Sequence, residues 1–402
     1  MTSAAVAERA HVGGDVRFRV QRDDFAEAVA WASRALPTRP TAPILAGMLL
    51  DAGTGGLTVS GFDFETFRQS RLAADITTAG KVLVSGRLLS EITKALADKP
   101  IDIHLAGNHM TLQCGSAKFS LPSMPVEDYP TLPSSPPKTG ELFGDQFTQA
   151  VGQVAVAAGR DDSMPMLTGV RVEIDGDTIV LAATDRFRLA VRELPWQPTS
   201  EWLQTAVVVP AKTLADTAKT TTPGEQVQIS LDVGDNTGQS KVLGVDSGER
   251  HSITRLLDVD FPKFRQLFPA SYTALATLGV TELVEAIKRV ALVADNGAQI
   301  HLQFDNDGSL RVSASGSELG AAEEYLPVDF AGEPLTIGFN SGYLIDGLTH
   351  LNAEKATFGF TNSVRPAVLH PAVEDTTPLT EGPFPALNTE YRYLIMPVRI
   401  PG

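Results

Sequence analysis

The sequence predicts an α+β protein made of three tandem copies of one module, each with two helices and a β-sheet. Three observations carry this prediction. Four landmarks recur in one order three times, at spacings of roughly 125 to 130 residues. Each landmark keeps its own periodicity, helical or strand-like, in all three copies. The length of 402 residues is also too great for one ordinary core.

The first landmark is a helix: DDFAEAVAWASRAL from Asp23, DQFTQAVGQVAVAA from Asp145 and TELVEAIKRVALVA from Thr281. In register, Phe25, Phe147 and Leu283 lead an apolar stripe that continues through Ala28, Ala150 and Ala286. It then runs through Val29, Val151 and Ile287 to Ala32, Val154 and Val290. That i, i+3, i+4, i+7 spacing marks an amphipathic helix, with Asp or Thr expected in each N-cap region. The second landmark alternates as a half-buried strand closed by a turn: GLTVSGFD ending at Asp63, TIVLAATD ending at Asp185, SLRVSASG ending at Gly316. The third runs from a strand into another helix, from Lys81, Ala206 and Pro334, with Val84, Val209 and Gly338 equivalent. The fourth closes each copy: FSLPSMPVEDYPTLP from Phe119, TRLLDVDFPKFRQLFP from Thr254, and the terminal YLIMPVRIPG.

These landmarks place the modules at 16–136, 137–270 and 271–402, after an N-terminal extension, 1–15, expected to be disordered. Ser134 to Gly140 and Pro269 to Thr281 are the expected linkers, and the polar stretches Asp232 to Lys241 and Ala372 to Gly382 the exposed loops. Both helices of a module are expected on one face of its sheet.

With 33 Lys plus Arg against 48 Asp plus Glu, the formal net charge is −15, which opposes nucleic-acid binding over the whole surface but leaves room for a local basic lining. A lone cysteine, Cys114, excludes a disulfide framework and fits a small buried hydrophobe. The N-terminus lacks an uninterrupted apolar signal region, and no run reaches the length of a membrane span, so a cytoplasmic protein is expected.

No catalytic constellation, metal or cofactor is expected. The seven histidines show neither HxxxH nor HExxH spacing, and no Gly-rich phosphate loop follows a strand. Asp161 and Asp162 fit a solvated turn after a helix better than a cation site, and Asp185 fits a turn-forming acceptor because Asp63 occupies the same repeat position. A large three-module chain without an active site points to a scaffold or binding protein.

The stretches LPTRPTAPILAGMLL (Leu36 to Leu50), FSLPSMPVEDYPTLP, MPMLTGVRVE, AATDRFRLAV, FPKFRQLFP, GFNSGY and YLIMPVRIPG closely resemble the bacterial DNA polymerase III beta subunit family, the sliding clamps. The resemblance covers about Val16 to Gly402. It implies a head-to-tail homodimer forming a six-domain ring, the DNA clamp fold, with helices lining the hole and sheets forming the wall. It implies encirclement of double-stranded DNA without sequence readout, nucleoid association, and no chemistry of its own. Implied partners are the DNA polymerase III catalytic subunit, the clamp loader, and other DNA polymerases and repair proteins that carry clamp-binding peptides.

The positions the resemblance assigns to peptide capture are Leu167, Thr184, Arg186, Arg188, Leu189, Pro262, Leu267, Asn340, Tyr343, Met396, Val398 and Arg399. Among them Arg188 and Arg399 stand out, because a buried packing role suits arginine poorly. The helices carry Arg34, Arg87, Lys94, Lys212, Lys219, Lys288 and Arg289, which with Arg39 form the expected DNA-facing set. Phe119 and Leu121 match one side of the subunit contact and Leu292 and Val293 the other, with Glu323 and Glu324 for rim charge pairs. The sequence departs from the family at Arg186 and Phe187, where many members have Gly and His, and at Gln266, where Arg is common. Three rival readings remain open: a duplicate clamp kept for tolerance to an antibiotic aimed at the pocket, a cytoplasmic peptide-binding scaffold without DNA encirclement, and a triplicated hydrolase using Asp161, Asp162 or Asp185.

Overall fold

The computed structural model describes residues 15–222, 224–233, 241–294, 299–316, 320–373 and 382–399. All but Asp15 of the expected N-terminal extension, and most of the two expected polar loops, therefore lie outside the described residues. Among the described residues six α-helices come in three pairs: α1 (Arg22–Ser33) with α2 (Gly86–Ala95), α3 (Gly144–Ala155) with α4 (Ala211–Ala218), and α5 (Val280–Val290) with α6 (Ser341–Thr349). The first helix of each pair buries the stripe its sequence draws: Phe25, Ala28, Val29 and Ala32 in α1, Phe147, Ala150, Val151 and Val154 in α3, Leu283, Ala286, Ile287 and Val290 in α5.

The expected capping differs. The N-cap residues of α1, α3 and α5 are Gln21, Phe143 and Gly279, and no side chain caps them. Asp23, Asp145 and Glu282 sit inside the first turn instead, where their charge meets the positive end of the helix dipole. Side-chain caps occur on two of the second helices, where Ser85 accepts the Leu88 N–H and Asn340 accepts the Tyr343 N–H, while α4 follows Pro210 without one.

The chain divides into two compact units, residues 1–141 with 221–256 and residues 142–220 with 257–402, so each takes part of the central module. Strand pairing across the sequence repeats is the cause. In the first unit the Arg250–Arg255 strand pairs antiparallel with Thr66–Leu72, matching Ile253 with Phe67, and Arg250–Glu27 (3.0 Å) and Arg255–Glu65 (2.8 Å) flank the joint. In the second unit Arg188–Pro195 pairs antiparallel with Tyr391–Ile395, matching Ala190 with Tyr393. Each repeat thus lends an edge strand to its neighbour, and an edge strand that pairs no longer exposes its backbone groups.

Within the first unit one core gathers Phe18, Phe25, Val29, Leu50, Leu89, Ile103 and Leu121, and Cys114 is buried in it. In the second, Phe304, Phe358 and Phe360 pack at ring separations of 5.1 to 6.5 Å under the third module's sheets. The corner contact that closes each repeat is the same in kind. Val84 pairs with Ser123, Val208 bridges Leu257, and Gly338 bridges Val398, joining the third landmark to the fourth in each copy, though in the second the contact falls one residue before Val209, the position in register with Val84 and Gly338. The expected linkers are more ordered than loops: Lys138–Phe143 and Ala274–Gly279 are strands, the latter because Ala274, Ala276 and Leu278 alternate inward against Lys355–Phe360.

Candidate functional site

The turn at Thr184 to Arg188 gathers several of the expected positions in the second unit. Asp185 Oδ1 accepts the N–H groups of Phe187 (3.0 Å) and Arg188 (3.1 Å). Thr184 Oγ1 accepts the Arg186 N–H (3.3 Å) and donates to the Arg188 carbonyl (2.7 Å). Asp185 is therefore the turn-forming acceptor its repeat position implied. Arg186 pays with a left-handed backbone, φ +79°, a conformation that costs a non-glycine residue about 1 kcal/mol.

Arg188 departs from the expectation that arginine avoids a buried role. It is buried, with Nε 2.9 Å from Asp185 Oδ2 and Nη1 2.5 Å from Asp346 and 3.4 Å from the Tyr393 hydroxyl. Its guanidinium lies 4.4 Å from the Tyr343 ring centroid. Burial pulls its pKa down, but Tyr393, Asp346 and Asp185 outweigh burial and raise it. The same burial pushes up the Tyr393 hydroxyl, which donates to the Tyr343 carbonyl (2.8 Å). Arg188 thus fastens its strand to α6. Gly347 permits the approach, since a Cβ there would lie 2.5 Å from Tyr393 Cε1. Asp346 and Tyr393 were not singled out from the sequence; the available signal was the i+3 spacing of Tyr343 and Asp346, which puts both near one face of α6.

Around this fastening several expected positions meet. Phe187, 51 % exposed, stacks on Tyr343 (centroids 6.1 Å, interplanar 22°), and its carbonyl accepts the Met396 N–H (2.8 Å). The Arg186 guanidinium lies 5.9 Å from the Phe187 ring. Leu167, Thr184 and Leu189 are buried beneath, while Met396 and Arg399 are exposed. Val398 donates to Gly338 (2.9 Å), and the Arg399 carbonyl accepts from Gln299 Nε2 (3.2 Å). Asn340 is partly committed, its Oδ1 capping α6 through Tyr343 (3.1 Å). Phe261 and Phe264 anchor the following loop in the cluster of Leu189 and Leu394, leaving Pro262 and Leu267 exposed. The result is a partly apolar, partly aromatic surface with arginines at its rim, the kind of surface an apolar peptide anchor would need.

Arg39, Arg87, Lys94, Lys212, Lys219, Lys288 and Arg289 are all exposed. Arg87 pairs with Glu91 one turn along α2 (3.2 Å), and Arg289 is held by Glu324 (2.6 Å). Arg289 and Glu324, expected on different surfaces, are thus one ion pair. At the expected subunit contact Leu292 is 78 % exposed and Phe119 half-buried, but Leu121 is 1 % exposed inside the first core. Leu121 therefore offers an interface little surface, because the strand alternation that turns Ser120 out turns it in. Val293 is half-buried, and Glu323 pairs with Arg311 (2.6 Å).

Asp161 closes a turn by accepting the Ser163 N–H (2.9 Å), and Ser163 holds its carboxyl below the ordinary range. The sequence reading missed one array: Ser135 Oγ lies 2.8 Å from His251 Nε2, and His251 Nδ1 faces Asp246. Pro136 and Pro137 follow the serine and carry no N–H, so the residue after it supplies no oxyanion donor. The array ties the 134–140 segment to the neighbouring sheet.

Three family models match in order: the N-terminal domain of the DNA polymerase III beta subunit at residues 16–133, its central domain at 141–263 and its C-terminal domain at 265–383. The chain belongs to the DNA polymerase III beta subunit family. Among this family's curated members, a beta sliding clamp of Streptomyces coelicolor is 44 % identical over 389 residues, 96 % of this chain and 100 % of that protein. A beta sliding clamp homolog, GriR, of Streptomyces muensis is 40 % identical over 96 % of this chain and 99 % of its own length. Among solved beta subunits, the sliding clamp of Bacillus subtilis superposes with a TM-score of 0.85 at 25 % identity, and that of Pseudomonas aeruginosa bound to griselimycin with 0.83 at 27 %. Both structures cover 96 % of this chain and are themselves covered in full.

Proposed function

We propose that this beta subunit is a sliding clamp in which two copies close head to tail around duplex DNA and hold replication proteins by short peptides, without catalysis of their own. One observation carries the reading: the first and third modules each leave a strand edge open, and the two edges are unlike. Ala117–Met124 pairs with Gly80–Ser85 only at Ser123 and Met124, leaving its first part with a neighbour on one side, and Gly320–Pro327 is the end strand of its sheet. Two different edges on one chain make a heterologous contact, which closes when the rotation permits. Phe119 stands on the first edge and Tyr325 and Glu323 on the second, with Leu292 nearby in sequence to α5. The modules of this ring are 16–136, 137–270 and 271–402.

The exposed cations Arg39, Arg87, Lys94, Lys212, Lys219 and Lys288 then supply weak phosphate contacts, which carry no sequence information and permit sliding. The Phe187–Tyr343–Met396 groove takes the peptides of the polymerase catalytic subunit, the clamp loader and repair polymerases, and the protein works on the nucleoid. Its test is retention on a nicked circular plasmid after loading by the cognate loader. Loss of the protein when the plasmid is cut once supports topological linkage, and retention on the linear product overturns it. Leu292→Asp should split the dimer by placing an unpaired charge in an apolar contact; sedimentation that still reports a dimer moves the interface elsewhere. A second reading, a duplicate clamp with altered antibiotic response, draws on the GriR likeness and on Arg186 and Phe187 at the groove's rim. Measuring griselimycin affinity for this chain and for Phe187→His separates the two.

A further inference from the structure

Next to the groove, the second unit carries a strip of sheet that its loops leave open. On one face of the sheet Ala206, Glu173, Val180 and Glu193 lie side by side across four strands, followed by Gln204, Asp175, Thr178 and Pro195. The neighbouring row, Val208, Ala182 and Val191, is covered by Phe261 and Phe264. Where this cover ends two cavities open. One of about 310 Å³ includes Pro262, Lys263 and Gln266 in its lining, and one of about 640 Å³ includes Asp175, Val180, Glu193 and Gln204. They meet at the Arg265–Glu173 ion pair (2.5 Å).

Three features give this strip a recognisable chemistry. Gln204–Pro210 is the end strand of its nine-stranded sheet, and Val208 turns its outward carbonyl to the Leu257 N–H (2.8 Å). By strand alternation Ala206 and Gln204 direct their backbone groups the same way, along the larger cavity, where an extended segment can add to the edge. Two residues before that strand stands Trp202, 90 % exposed, whereas Trp31 and Trp196 are 3 % and 5 % exposed. Its turn is fixed by the Leu203 N–H on Ser200 (3.3 Å) and the Gly176 N–H on Leu203 (3.0 Å). The charge is also polarised. Arg171 and Arg265 both pair with Glu173 (2.9 and 2.5 Å), and Arg392 also faces Glu193, so beyond Glu173 the sign is set by Asp175 and Glu193 against Arg392, with Asp177 and Glu201 beside the Trp202 turn.

We propose that this strip docks an extended, arginine- or lysine-bearing flank of a partner whose apolar anchor occupies the adjoining groove. The proposal rests on the groove reading, through Pro262, which lines the smaller cavity and belongs to the groove positions. The flank adds its backbone to the Gln204–Ala206 edge, places its cation against Asp175 and Glu193, and lays a guanidinium or ammonium on the Trp202 indole. An acidic flank meets like charge there and is disfavoured.

The test is titration calorimetry on the full chain with synthetic peptides sharing one anchor of a Gln followed by Leu and Phe. One is bare, and others carry a Ser-Arg-Ser-Arg-Ser or a Ser-Glu-Ser-Glu-Ser flank at either end. An arginine flank at one end should tighten binding about 5- to 20-fold over the bare anchor, with the gain shrinking as salt rises. Trp202→Ala and the pair Asp175→Asn, Glu193→Gln should remove that gain and leave the bare anchor's Kd unchanged. Equal affinity for arginine and glutamate flanks, or a gain that survives Trp202→Ala, overturns the strip. A bare anchor that fails to bind overturns the groove reading instead. The strip is then decided by the arginine flank alone: a shift in indole fluorescence that Trp202→Ala abolishes supports it, and no shift overturns it.

Discussion

Asp63 and Asp185 make the same turn in two modules and end in different surroundings. Asp63 Oδ1 accepts the Glu65 and Thr66 N–H groups (3.0 and 2.6 Å), as Asp185 does for Phe187 and Arg188, and the residue after each aspartate is left-handed, Phe64 at φ +73° and Arg186 at +79°. Each turn also exposes a phenylalanine by about half, Phe64 and Phe187. The difference comes from what the next repeat brings. Beside Asp63 the Arg250–Arg255 strand arrives and sets Thr254 opposite Thr66; beside Asp185 the Tyr391–Ile395 strand and α6 arrive with Tyr393, Asp346 and Tyr343 around Arg188. Local sequence makes a corner in both places. Both corners have aromatic neighbours, Phe64 lying 5.3 Å from Phe62 and Phe187 6.1 Å from Tyr343, but only at the second does the ring stack on a helix that a later repeat supplies.

The largest expected effect that sharpens this contrast is Asp346→Ala. Arg188 keeps one carboxylate in a buried setting, and stability in urea should fall by about 2 to 4 kcal/mol, against less than about 0.5 for Thr66→Ala. Equal losses would make the two corners energetically alike. Next, Asp185→Ala and Asp63→Ala each remove an acceptor for two N–H groups and should each cost about 1 to 2 kcal/mol. The Asp185 variant should cost more, since it also releases Arg188, and identical costs would deny Arg188 its role as a fastening. Third, Phe187→Ala should weaken binding of a partner peptide by about 1 to 2 kcal/mol in calorimetry, with Phe64→Ala leaving it unchanged. A loss with Phe64→Ala would move the peptide site.

The smallest effect concerns pH. Burial holds His370, whose Nδ1 hydrogen bonds the Pro371 carbonyl (2.8 Å), below the ordinary histidine value of 6.5. The folded state therefore takes up its proton later than the unfolded state as pH falls. Stability is full above about 6.5 and declines as pH drops through that value toward the lower folded pKa. Hydrogen exchange at Ala367–Pro371 and Tyr391–Ile395, the strands behind Arg188, should quicken between pH 7 and 5, and His370→Gln should flatten that response. An unaltered pH response in His370→Gln assigns it to another group.

Much of this was legible in the chain. The apolar stripes of α1, α3 and α5, the strand–turn landmarks and the turn role of Asp185 follow from spacing, because helical and strand periods and Asx turns are local properties. The capping residues were misplaced because an acidic residue in the first turn and one at the N-cap look alike in sequence. Leu121 was assigned to a contact and lies in a core, since an apolar strand residue reads the same on either face until the register is known. The acidic partner that makes a buried arginine tolerable, Asp346, comes from 158 residues away, beyond the reach of any local pattern.

By itself the sequence determined a threefold repeat, the helices and turns within each copy, and the family to which those motifs belong. The tertiary structure decided where edge strands join: the Arg250–Arg255 and Tyr391–Ile395 strands cross the sequence repeats, and the chain forms two units from three modules. It also decided that one of two equivalent corners sets its phenylalanine against a helix of a later repeat, and that Trp202 stands in the open near the far end of the strand that leads into that corner. Periodicity fixes which face of an element is apolar, but the partner for that face is chosen by pairing between distant segments, whose energetics depend on the assembled neighbours.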